Sequence, residues 1–73
     1  MSVKLIALYR KVVRHFGSQQ KTADALGITQ PSVNAWLVGK SQMSPIAAFK
    51  VERITNGRFK ADELCPKLAV EAA

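Results

Sequence analysis

The stretch QQKTADALGITQPSVNAWLVGKS, residues 19–41, holds two short apolar segments divided by a single glycine. Its residue types suit two helices crossing at close range around a tight turn. Ala23 is small where the first helix must let the second approach, and Gly27 can take the positive φ that closes a helix. Ser18 stands ahead of the first segment as an acceptor for its free amides, which places a short helix over about Gln19–Leu26. Thr29 plays the same part for the second segment, with Pro31 in the first turn, where a missing N–H does little harm. Val33, Trp36 and Leu37 form the apolar side of that second helix, and Gly39 ends it. Trp36 sits at the spacing of a core residue, so packing is its expected role rather than stacking on a ligand.

Upstream, Leu5, Leu8, Tyr9, Val12 and Phe16 recur at intervals of three and four, the mark of one helical face, and Gly17 closes that helix. Downstream, Lys40, Ser41 and Gln42 make a polar loop, and Ser44-Pro45 reads as a cap followed by a first helical residue. Ala47, Val51 and Ile54 keep helical spacing as far as Asn56-Gly57, and Phe59 then leads into a single turn through Ala61 to Leu64, broken by Pro66. The chain is therefore expected to be all-α. It reads as a compact helix-turn-helix domain of about five short helices over residues 1–68, with a frayed tail at 69–73. One alternative stays open, because Asn-Gly between apolar residues is also a type I′ hairpin signal. That would make the fold α+β, with a C-terminal β-hairpin around Asn56-Gly57.

A chain of 73 residues makes one domain, and at this size only about 60% of the unfolded surface is buried, so the core is small and shared between helices. No apolar run approaches the roughly 18 residues that cross a bilayer. No secretory cleavage pattern follows the basic stretch that carries Lys4, Arg10, Lys11, Arg14 and His15. A soluble, cytoplasmic protein is expected. The single cysteine, Cys65, has no internal disulfide partner, and with only one histidine it makes no metal site, so neither metal nor cofactor is expected. The chain offers no acid, base or nucleophile in a catalytic arrangement, which argues against an enzyme.

Charge is more telling. The net charge is +6, and over residues 1–43 six bases face one acid, Asp24, whereas residues 44–73 carry five bases and four acids. A basic half beside a nearly neutral one points to a polyanion-binding face. With Val33 and Trp36 filling the inner side of the second helix, the outer side is left to Gln30, Pro31, Asn34 and Ala35. Gln and Asn pair bidentately with N6 and N7 of adenine, and a proline ring can lie against a thymine methyl, so these four are candidate base-reading residues on double-stranded DNA. Lys21, Ser32, Lys40 and Ser41 are candidate phosphate contacts around them. Arg10, Lys11 and Arg14 are more simply a solvated helix face.

From Phe16 to Gly39, opening with FGSQQKTADALGITQPSVN, the sequence resembles the Cro family of phage repressors, and residues 44–66 resemble the YdaS-like group of Cro-type regulators. The resemblance implies a helix-turn-helix fold and a phage or prophage transcription regulator that binds a roughly palindromic operator as a homodimer. By position it implies base reading at Gln30 and Asn34 and a phosphate contact at the start of the first motif helix. That last role falls to Gln19 or Gln20, because the chain has an extra residue near Ser18. Two positions depart from the lambda member of the family. Pro31 and Ala35 stand where it has a hydroxyl and a lysine, so hydrogen bonds made there are lost and the operator should differ.

A homodimer also has a geometric motive, since two recognition helices read half-sites about one turn apart, roughly 34 Å. The C-terminal third is expected to supply its surface, with Phe49, Phe59 and Leu64 as candidate dimer contacts, although Phe49 or Phe59 can equally be core, and with dimerisation weak in the absence of DNA. A rival reading is an antitoxin or adaptor that grips a toxin or co-regulator protein through an exposed apolar patch within residues 46–68.

Overall fold

The structure, a computed structural model, describes residues 3–68. The tail expected to fray at 69–73 lies outside the described residues. Five helices follow in chain order: α1 Val3–Phe16, α2 Gln19–Leu26, α3 Gln30–Leu37, α4 Pro45–Ile54 and α5 Ala61–Leu64, with residues 66–68 also helical. No strand occurs among the described residues, so the fold is all-α. Chain contacts gather it into two compact units, Met1–Gln42 and Met43–Ala73.

In the first unit α1 packs on α2 and α3, and α2 packs on α3. The apolar face of α1 buries Leu5, Tyr9 and Val12, and the Tyr9 ring lies 5.8 Å from that of Trp36, tilted by 46°. Trp36 is buried, as its spacing predicts, together with Ala23, Leu26 and Val33 between the helices of the motif. Thr22 is the buried polar side chain here, and its hydroxyl donates to the Ser18 carbonyl at 2.7 Å. That bond satisfies a group that would be costly to bury alone.

Local chemistry sets each boundary. Ser18 is extended and its Oγ accepts from the Lys21 amide at 3.0 Å. Gly27 is left-handed, with φ 70°, and the Ile28 amide donates to the Ala23 carbonyl while Gly27 donates to Asp24, the paired bonds of a Schellman cap. The turn is short: it runs from Gly27 to Thr29, and Thr29 caps α3 through the Ser32 amide. α3 ends in the same way as α2: Gly39 has φ 79°, Lys40 N–H donates to the Ala35 carbonyl and Gly39 N–H to Trp36.

The second unit packs α4 on α5 around Ala47, Ala48, Val51, Phe59, Ala61 and Leu64. Ser44 Oγ caps α4 through the Ala47 amide at 3.2 Å. The β-hairpin alternative is overturned. Asn56 has φ 55°, and it donates to the Arg53 carbonyl while Gly57 donates to Glu52 at 2.8 Å. Asn-Gly therefore supplies the left-handed residue of a helix C-cap, a role that needs the same backbone conformation as a type I′ turn. Two expectations for apolar residues also change. Ile54 is 46% exposed and Ala48 takes its place in the core. Phe59 and Leu64 are buried and so belong to the core, whereas Phe49 is exposed. The Ala61 amide, at the start of α5, donates to Glu52 Oε1 at 2.7 Å, which ties the short helix to α4.

Candidate nucleic-acid interface

The candidate residues are held by the two motif helices. On α3, Pro31 and Asn34 are exposed and Gln30 and Ala35 are half-buried, while Val33 and Trp36 face inward. Gln30 and Asn34 are four positions apart, so they stand one above the other on one helical face. Ser32 is exposed and its Oγ lies 2.9 Å from Thr29 Oγ1, so its hydroxyl is engaged in the cap.

Spacing and composition do not reveal one contact that joins the helices. Gln30 Nε2 donates to Gln19 Oε1 at 2.6 Å, across eleven residues of sequence. Only the tight Gly27 turn brings the two together, and no periodicity marks a polar pair of this kind. Gln20 is placed differently, exposed and donating along its own helix to Asp24 Oδ1 at 2.8 Å. One of its N–H groups thus goes to a local carboxylate, while Gln19 meets the head of α3.

Lys21 is exposed, and its stem lies across Gly17: a Cβ at that glycine would meet Lys21 Cδ at 3.2 Å. Gly17, with φ 111°, therefore serves both the chain reversal and the course of the lysine. Lys40 and Ser41 are exposed just beyond α3, with the Lys40 backbone fixed by the Schellman bond to Ala35. Arg10, Lys11 and Arg14 are exposed on α1. A helix with two outward amides, flanked by exposed bases and rigidly capped at both ends, has the equipment of a major-groove reader.

Residues 9–70 match the family model P22 Cro, described as DNA-binding transcriptional regulator Cro. The chain belongs to this Cro family. Among Cro-family relatives, the regulatory protein cro of Pseudomonas phage D3 is 42% identical over 62 residues, covering 85% of each chain. The regulatory protein cro of Salmonella phage P22 is 37% identical over 57 residues, covering 77% of this chain and 88% of its own. The putative transcriptional regulator YdaS of Escherichia coli strain K12 is 36% identical over 52 residues, and the match spans 71% of this chain but 53% of that protein. No solved structure matches the chain. The chain is a phage Cro-like DNA-binding transcriptional regulator. Among the described residues no helix is long and apolar enough to cross a membrane, and no cluster of His, Cys, Asp and Glu is arranged to hold a metal ion.

Proposed function

We propose that this Cro-family chain binds a short, roughly palindromic operator as a homodimer and represses an overlapping promoter by excluding polymerase, in the cytoplasm of a bacterial host. Residues 1–68 act as one module in this reading, with α3 in the major groove and the C-terminal helices supplying the dimer contact. Gln30 and Asn34 read adenines, and Pro31 and Ala35 offer apolar contact to thymine methyls. Gln19, Lys21, Ser32, Lys40 and Ser41 contact phosphates, while Gln20 has the weaker claim because it gives one N–H to Asp24, whose carboxylate repels a phosphate.

The bond from Gln30 to Gln19 carries the reading. A glutamine amide has two N–H groups and a carbonyl. One Gln30 N–H goes to Gln19, which leaves the other for adenine N7 and Oε1 for the N6 amino group. The Gln19 carbonyl accepts that bond, which leaves both of its own N–H groups for a phosphate. One hydrogen bond thus orients a base contact and a backbone contact together and uses up neither.

Selection of bound sequences from a random duplex pool, followed by titration of the winner at two salt concentrations, tests this function. Enrichment of a palindrome with half-sites one helical turn apart is the expected result. Salt-sensitive binding without any enriched sequence would refute it and would favour a partner-binding adaptor.

A further inference from the structure

We infer that a second copy of this chain docks on the Phe49 face of α4, each copy setting its Arg53 groove against the acidic groove of the other. The inference rests on the homodimer reading and names its surface. Ile46 and Phe49, three residues apart on α4, are 72% and 55% exposed, although both are large and apolar. Grooves open on either side of Phe49. One is lined by Ile46, Lys50, Arg53 and Asn56; the other by Lys60, Asp62, Glu63 and Leu68; Phe49 and Glu52 line both.

The two grooves differ in charge. Lys50 and Arg53 outweigh Glu52 in the first, while Asp62, Glu63 and Glu52 outweigh Lys60 in the second. Glu52, which lines both, spends one carboxylate oxygen on the Ala61 amide. A surface with an apolar ridge between a positive and a negative groove is complementary to itself. A two-fold axis makes every contact twice, so one basic-to-acidic match becomes two and both Phe49 rings leave water together. A foreign partner would need the opposite charge order on each side of its own ridge, whereas a second copy already has it.

The patch is small. Its large exposed apolar groups are one phenylalanine and one isoleucine, and specific dimers bury about 800 Å² on each partner. Self-association is therefore weak in free solution and is completed when operator half-sites bring two copies together.

Sedimentation of the whole chain over a concentration series from micromolar to millimolar, with Arg53→Glu and Glu63→Lys variants alone and mixed, tests the inference. Each substitution turns both charge matches into repulsions in the homodimer, so each lowers the association constant by about tenfold or more. An equimolar mixture restores it, because the carboxylate introduced at position 53 of one variant then meets the ammonium introduced at position 63 of the other, and the native Arg53 and Glu63 meet on the second side. Circular dichroism checks that each variant is folded, and Glu63→Gln, which keeps the shape, gives a smaller loss in the same direction. Phe49→Ala weakens association in every combination. If the wild-type chain pairs, in solution or on the selected operator, and these variants pair equally well, the Phe49 face is wrong while the dimer reading survives. A single copy on a non-repeated site, with no self-association at any concentration, overturns both.

Discussion

Replacing Gln19 with Ala removes the acceptor of the 2.6 Å bond from Gln30 without touching the base-reading helix itself. The bond is partly buried at the head of α3, so it falls in the ordinary net range for an intramolecular hydrogen bond, about 0.5–1.5 kcal/mol. Its loss frees a side chain with up to about 2 kcal/mol of rotamer entropy, which binding must then remove again. The lost bond alone is therefore expected to cost about 2- to 12-fold in Kd at one half-site, in addition to the lost phosphate contact, and twice the free energy on an operator holding two copies. A simple weakening would not separate orientation of Gln30 from a lost phosphate contact, so the assay is a double-mutant cycle. Affinities of wild type, Q19A, Q30A and Q19A/Q30A are measured on the selected operator by fluorescence anisotropy. If Gln19 positions Gln30, the single losses sum to more than the double loss by about 0.5–1.5 kcal/mol per half-site. The excess should vanish on an operator whose adenine opposite Gln30 has been replaced. Additive losses within about 0.3 kcal/mol would refute the positioning role and leave Gln19 as a phosphate contact alone.

Other changes separate base reading from docking and from folding. Asn34→Ala is expected to cost about 1–3 kcal/mol on the selected operator and little on random DNA, as competition binding would read directly. Lys40→Ala should weaken all sequences alike and reduce the slope of log K against log salt by about one unit; an unchanged slope would remove Lys40 from the phosphate set. Trp36→Ala deletes a buried ring and is expected to cost about 3–5 kcal/mol. A 73-residue chain has only about 4–11 kcal/mol in total, so thermal melting should find this variant strongly destabilised, with a large part of the total stability gone. At position 56, Asn→Gly should hold or raise the melting temperature and Asn→Ala should lower it by about 1 kcal/mol of stability, since only the left-handed φ of 55° distinguishes the three residues.

The motif was legible because its limits are local. Ser18, Gly27, Thr29 and Gly39 each act within four residues of themselves, so α2 and α3 begin and end where those residues dictate. Farther along, the decisive interactions act across longer distances. Asn56 with φ 55° satisfies a helix cap and a hairpin turn equally, and the choice fell to the carbonyls of Glu52 and Arg53 lying within reach. Phe49 and Phe59 are chemically identical, and a period-3.6 pattern reaches only the first of them. Phe59 lies after α4 has ended, in the connection whose far end is tied to α4 by the bond from Ala61 to Glu52, and it is buried. Ile54 keeps apolar spacing with Val51, yet the buried side of α4 runs through Ala47, Ala48 and Val51, and Ile54 is 46% exposed.

The same distinction applies to the recognition surface. Which face of α3 points outward follows from Val33 and Trp36 pointing inward, and composition suffices to see it. How that face is oriented does not follow, because it depends on Gln19, eleven residues away, and on a backbone bond that fixes Lys40 to Ala35. These two restraints grip α3 at opposite ends: Gln19 at its first residue, and the Schellman cap at its last turn. A phosphate held at each end would allow the helix neither to slide nor to tilt in the groove, and Pro31 and Ala35 could then discriminate bases by fit alone. Replacing Gln19 should accordingly relax specificity at those two positions, whereas Lys40→Ala, which keeps the backbone bond to Ala35, should leave it intact.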